Sequence, residues 1–317
     1  MKPTKTLTLI AIFLGLLQAA GAQAEEATAA SAAPDITAGP SSSPYRPDMG
    51  RLLATQGVSS VEGPAGGGIT PWALIAGYGT RDSYGANVHY STLRTQDFGF
   101  DTAGVAVGLF DRVELSVATQ NFRARSGPLD SLRVNQDIIG VKVRLFGNLV
   151  YDQEDWMPQV SIGAEYKHNN GLKGLLNASV TALGAKSDSG TDFYISATKL
   201  FLSQSLLANV TLRATKANQM GLLGFGGDLH NSYSPEIEGS LAYLLSKNWA
   251  VGAEYRTNPH NLSADNQKDY YDAFVAYFPT KNISITAAYV NLGSIVAPVT
   301  HNNARQNGFY VSLQAGF

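Results

Sequence analysis

The sequence predicts an all-β chain: a transmembrane antiparallel up-and-down β-barrel of about 12 strands, with short periplasmic turns and long outer loops. Three observations lead there. The chain opens with an export leader, its apolar segments beyond residue 70 repeat with a period of two, and the connections between them alternate between tight and long.

The leader comes first. Lys2 and Lys5 form a short positive region, and Leu7 to Leu17 is an apolar run broken only by Thr8 and Gly15. Ala22-Gln23-Ala24 supplies the small-x-small pattern after which signal peptidase cuts. The run is shorter than the ~20 apolar residues of a membrane-spanning helix. Residues 1–24 are therefore read as a cleaved signal peptide, which places the chain beyond the cytoplasm.

Composition narrows the class. No later stretch is apolar enough for a transmembrane helix, and the mean hydropathy is close to zero. With no cysteine among 317 residues, disulfides, thiolate metal sites and a cysteine nucleophile are excluded. A net charge of −2, with both signs mixed along the chain, gives no reason to expect a nucleic-acid partner. Thirty-two glycines and 15 tyrosines beside only 15% charged residues suit strands that set an apolar residue toward lipid and a small or polar one toward a lumen.

Residues 25–50 are rich in Ala, Ser and Pro, and Pro34, Pro40, Pro44 and Pro47 interrupt any regular element, so this stretch reads as a flexible periplasmic linker. Residues 51–70 turn apolar and then glycine-rich. Ala65-Gly66-Gly67-Gly68 permits close backbone approach, which makes 51–70 either a lead-in to the first strand or a partial plug of the lumen.

From Pro71 to the end, residues 71–317 read as the barrel. Twelve segments are expected: 71–80, 98–109, 113–122, 134–146, 157–168, 190–201, 206–216, 234–245, 249–257, 269–278, 282–292 and 306–317. Each approaches the ~9–11 residues of a tilted transmembrane strand. The last is the clearest: Phe309, Val311, Leu313, Ala315 and Phe317 share one face, and Tyr310, Ser312, Gln314 and Gly316 the other. Apolar residues outward and small or polar ones inward invert the rule for soluble proteins. Tight turns such as Phe110-Asp111-Arg112 and Ser246-Lys247-Asn248 alternate with long polar connections, 81–97, 169–189, 217–233 and 293–305 among them. An even strand count then puts both termini in the periplasm.

Aromatic placement predicts two interfacial girdles. Trp72, Trp156 and Trp249, with Phe110 and Phe278, are expected at the periplasmic rim, and Tyr78, Tyr166, Tyr255 and Tyr289 at the outer rim. The terminal Phe317 resembles the C-terminal signal read by the outer-membrane barrel assembly machinery, which makes that machinery and outer-membrane lipid the expected partners.

Period-two phase turns most charge inward: Glu114, Lys142, Arg144, Glu165, Lys167, Arg213, Glu238, Glu254, Arg256 and Asp272 are expected to line the lumen. Adjacent strands tend to offer opposite signs, so an interior ion-pair lattice and a polar, weakly selective passage are both open readings. All five histidines, His89, His168, His230, His260 and His301, are expected in or beside outer loops, where polar residues belong, and none has metal-ligand spacing. Gly224-Phe225-Gly226-Gly227 lacks the strand-to-helix setting and following Lys of a nucleotide loop and is expected to be a flexible outer loop. No catalytic, cofactor or metal residues are expected.

The segment Gly50 to Thr80, with its Gly50-Arg51-Leu52-Leu53, Gly66-Gly67-Gly68 and Pro71-Trp72-Ala73 elements, resembles the opening of an uncharacterised proteobacterial outer-membrane family known only as a domain of unknown function. The resemblance extends from about residue 50 to the end and implies an exported barrel without any site residues to transfer. The expected function is an outer-membrane pore or small-solute transporter with a mixed-charge polar lumen. A non-conducting structural or interaction barrel is the alternative, and a membrane-embedded hydrolase, which needs an outward Ser–His pair, stands third.

Overall fold

Every strand carries a row of backbone N–H and C=O groups on each edge, and lipid offers them no partner, so sheet closure is the only way to satisfy all of them. The computed structural model describes residues 58–149, 156–174 and 176–317; the leader, the linker and residues 51–57 lie outside these. Among the described residues twelve strands close into one barrel: β1 (Tyr84–Thr95), β2 (Phe98–Leu109), β3 (Val113–Ala124), β4 (Arg133–Phe146), β5 (Gln159–Lys173), β6 (Ser189–Phe201), β7 (Leu206–Thr215), β8 (Ser234–Leu244), β9 (Trp249–Arg256), β10 (Tyr270–Thr280), β11 (Ile283–Asn291) and β12 (Asn307–Gly316). Sequence neighbours pair antiparallel, and β1 closes the ring on β12 from Asn87↔Gly316 to Thr95↔Gly308.

The outer surface follows the period. Leu115, Val117, Ile139, Val141, Leu212 and Val311 are exposed, while the residues between them are buried. At one end the connections are mostly tight: Phe110–Arg112 after β2, Leu202–Ser205 after β6, Leu245–Asn248 after β8 and Lys281–Asn282 after β10. At the other end, five of the six connections run well beyond a tight turn, the β1–β2 link being the exception.

One strand differs from expectation. Residues 71–80 are not β1; the first strand is Tyr84–Thr95, and the two-residue link Gln96-Asp97 replaces the long 81–97 connection. The physical reason lies in the residues themselves. In Trp72-Ala73-Leu74-Ile75-Ala76 both parities are apolar, because all five are buried on every side within the lumen. The true strand hides its period: Asn87, His89 and Ser91 face in, but Tyr90 and Thr92, which also carry polar atoms, face out. His89 is accordingly a buried, inward residue of β1 and not a loop residue.

Three girdle assignments change with it. Trp72 is inside the barrel, and its indole N–H donates to Ser240 Oγ (2.9 Å). Tyr78 lies at the tight-turn end, where its amide donates to the carbonyl of Phe317 (2.8 Å). Phe278 shares the inward parity of Asp272 and Ala276 and is buried; its neighbour Tyr277 points outward and stacks on Trp249 at 4.4 Å.

The long connections fold over their end of the barrel. Leu129 and Leu132 from the β3–β4 loop, Met220, Leu222 and Leu223 from the β7–β8 loop, and Ile295 and Val296 before β12 pack with inward Leu93, Phe100, Phe122 and Val134. The Gly224–Gly227 run is held in place: Phe225 is buried and bridges both Ser187 and Ala217. Asp265, between β9 and β10, ties three loops together by accepting from the amide of Val296 (2.8 Å) and Nε2 of Gln219 (2.9 Å).

Two outcomes follow from this architecture. Val117→Arg places a charge near the middle of the lipid face and should lower barrel stability by about 2–4 kcal/mol in reversible urea unfolding from lipid vesicles; an unchanged midpoint would mean that Val117 does not face lipid. Burial raises the Asp265 carboxyl to about 6 against hydrogen bonds that pull it down. A carboxyl raised on folding favours the folded loops below the unfolded value and loses that advantage as pH rises from about 4 to about 6. Hydrogen exchange at the Val296 amide, corrected for intrinsic rate, should therefore be more protected at pH 4 than at pH 7, and Asp265→Asn should flatten the dependence.

Candidate functional site

A chain crossing the inside of a barrel meets the same demand as a strand in lipid, because its amides and carbonyls need partners. Residues 58–76 run through the lumen and obtain them from the wall. Ser59 exchanges bonds with Gln314 of β12 (N to Oε1 2.6 Å; Nε2 to O 3.0 Å) and donates its hydroxyl to Asn87 of β1. The Val61 carbonyl accepts from Thr102 of β2 and Gln120 of β3. Ala65 N donates to Glu114, and Ala65 O accepts from Lys142 of β4 (2.8 Å). Ile69 N and Thr70 Oγ1 donate to Glu254 of β9 at 2.9 and 2.7 Å.

The segment then turns back. The Pro71 carbonyl accepts from Ser196 of β6 and from Asn209 and Thr211 of β7. The Ala73 carbonyl accepts from Gln159 and Ser161 of β5, Leu74 O from Lys142, and Ala76 N returns to Glu114. Gly66 shows why glycine is needed here, since a Cβ would lie 2.3 Å from the backbone carbonyl oxygen of Thr70. Pairing to the segment thus involves every strand except β10 and β11 among the described residues.

The charged residues assemble around one carboxylate of this segment. Glu62 is buried and pairs with Lys167, with Arg256 (2.7 Å) and with Arg213 (3.3 Å). Arg213 also meets Glu165 (2.9 Å), Asp192 (3.4 Å) and Glu238 (2.5 Å), and Lys167 meets Asp192 (2.6 Å) and Glu165 (3.3 Å). The cluster therefore holds four acids and three bases. Removing Glu62 would leave three bases to three acids, but the three cations would lose a shared partner in a site closed to water. Glu114 and Lys142, opposite in register, form a separate pair at 3.1 Å, and Arg144 pairs with Asp111 (2.8 Å).

All ten inward residues read from the phase are buried inside the barrel, but they serve different ends. Glu114, Lys142, Lys167, Arg213, Glu254 and Arg256 bond directly to the segment, whereas Glu165, Glu238 and Arg144 bond to other wall charges or to Asp111. Asp272 lies opposite Glu254 in register, a like-signed pair that contrasts with the alternating signs expected. Two members of the cluster were not expected. Asp192 shares the inward parity of Tyr194, Ser196 and Thr198, so the period could have found it. Glu62 sits in a stretch without period, and no local signal marks it.

The remaining space has a different chemistry. A cavity of about 150 Å³ is lined along β10 and β11 by Phe274, Ala276, Phe278, Ala288 and Val290, where the segment makes no bonds, and elsewhere by the segment and by inward residues of other strands such as Phe100, Phe122 and Leu207. Most of the charges are thus gathered toward the segment, and this cavity is lined mainly by apolar side chains where the sequence led to a polar passage. On the outside, Phe110, Trp156 and Trp249 are exposed at the tight-turn end, and Tyr166, Tyr255 and Tyr289 toward the other.

The chain belongs to a family described as a protein of unknown function (DUF3034), whose model matches residues 55–314. No curated protein matches it in sequence. Solved structures similar to it include the NanC porin (10% identity, TM-score 0.49, 73% of this chain and 98% of that one) and the KdgM porin (11%, 0.45, 73% and 99%). The outer membrane phospholipase A from Escherichia coli is also similar (11%, 0.41, 76% and 94%).

Glu62→Ala should loosen the segment from the wall at a cost of about 3–5 kcal/mol, the range for removing one partner of a buried pair. Limited proteolysis of the folded barrel should then cut within 58–76, where the parent chain resists. Equal resistance in both would show that the cations do not hold the segment.

Proposed function

We propose that this member of the family is an outer-membrane passage for a small solute, held shut by its own segment 58–76. The observation carrying this reading is the path of that segment, which bonds to inward side chains of ten of the twelve strands. Wall side chains fill the lumen of a barrel of about eight strands, whereas this one has twelve and holds a separate backbone. Threading a separate backbone through it requires a partner for each polar group, and such a backbone can also leave.

In this reading the loop-covered end faces outward, and the tight turns and both termini are periplasmic. Exposed Phe110, Trp156 and Trp249 would form the periplasmic girdle, and Tyr166, Tyr255 and Tyr289 the outer one, at headgroup level. Strand β12, with Phe309, Val311 and Leu313 exposed ahead of Phe317, would present the signal taken by the barrel assembly machinery. Residues 1–24 would be the export leader and 25–50 a periplasmic tether.

The chain has no cysteine, so a disulfide can be added cleanly. Thr70 Oγ1 and Ser240 Oγ lie 2.5 Å apart, and Thr70→Cys with Ser240→Cys should cross-link segment to wall. Planar-bilayer recordings should show no steps from the oxidised protein and discrete steps after deletion of residues 27–76. Steps of equal size from the oxidised protein would remove the segment's role as a closure. Silence from the deletion would favour a non-conducting structural or interaction barrel.

A further inference from the structure

The apolar cavity has a shape and a lining that specify what fits it. On β10 the inward residues from Tyr270 to Phe278 all line it, eight steps of strand or about 26 Å. A space of only about 150 Å³ reaching along that length is narrow, which suits an unbranched chain better than a branched or ring-bearing molecule. Its width is set by named contacts. Phe274 lies over Gly252, directly opposite in register, where a Cβ would come within 2.5 Å of the ring. Ala250, Ala276 and Ala288 keep the neighbouring wall low. Trp72, from the segment, forms part of the opposite side.

The charge pattern narrows the class further. No Lys, Arg or His lines the cavity among the described residues, and the acidic side chains that do are Glu254 and Asp272. Glu254 already accepts from Ile69, Thr70 and Ser240. A ligand carboxylate or phosphate would therefore meet no cation and two acids, which is costly in a buried site. The mouth is apolar as well. Leu129 of the β3–β4 loop and Val299 of the short helical turn Ala297–Thr300 line the upper cavity where these two loops touch, and Val299 and Leu176 are exposed there.

Accepting the passage reading above, we propose that this cavity binds and guides an uncharged, unbranched hydrocarbon chain, entering between the β3–β4 and β11–β12 loops. Charged tails of the same length, such as a fatty carboxylate, are disfavoured by the two acids.

The chain has three tryptophans, so Trp156→Phe with Trp249→Phe leaves Trp72 as a single reporter in the cavity wall. The full-length mature protein in lipid vesicles would be titrated with 1-bromodecane and, separately, with 10-bromodecanoate at pH 8. Bromodecane should quench Trp72 saturably, and the carboxylate should need at least about tenfold more in the bilayer for the same effect. Ala276→Phe and Ala288→Phe, made separately so that one can fail to fold without ending the test, fill the bore from different strands. Each should reduce the quenching constant at least about fivefold if a chain occupies the space that phenylalanine takes up.

Linear, unsaturable quenching that neither filling variant changes would overturn the proposal, because it would report only lipid-borne collision. Equal quenching by the carboxylate would overturn the uncharged class. The two readings fail separately: saturable quenching with a silent deletion mutant would leave the binding site without the passage, and conductance without saturable quenching would leave the passage without this ligand.

Discussion

Glu62 is one carboxylate on a segment without regular structure, yet three cations from three strands converge on it. Lys167, Arg213 and Arg256 lie on β5, β7 and β9, and each also serves wall acids. Without it each cation would keep its wall acids, Glu165, Asp192 or Glu238, but would lose the one partner that all three share. The carboxylate in turn could not enter the lumen without them. The path of residues 58–76 past the β5, β7 and β9 walls therefore follows from where the cations stand.

That dependence divides the lumen in two. Because the carbonyls and amides that the segment brings inside need partners, the wall from β12 through β1 to β9 is rich in hydroxyls, amides and charges. The β10–β11 wall, to which no segment atom bonds among the described residues, is free to be apolar. The same backbone requirement that closes the sheet against lipid thus arranges the interior, with side chains taking the part that the neighbouring strand takes in the sheet. A buried ion network of this kind adds less to stability than its number of contacts suggests. Its larger effect here is to fix one register for an irregular segment.

The loops at the far end repeat the principle with apolar groups. Leu222 and Leu223, Ile295 and Val296 have no period and would be costly on an open surface, but together they cover the end of the barrel above Phe100 and Phe122. Asp265 joins them by two hydrogen bonds from different loops, so the cover is a joint product of three connections.

Eleven strands were legible in the sequence, because lipid outside and polar atoms inside force an alternation that each strand carries locally, as Val113 to Arg123 or Asn307 to Phe317 does. The inward direction of Glu114, Arg213 and Glu254 came from the same phase. The first strand was not legible, since Tyr90, Thr92 and His89 blur its alternation while Trp72 to Ala76 imitates a strand through complete burial. Nor could the sequence disclose Glu62 as the centre of the charge cluster, Phe278 as an inward wall or the apolar half of the lumen. Periodicity reports the two faces of a strand, but partners such as Glu62 and Arg256, 194 residues apart, are brought together only by closure of the ring.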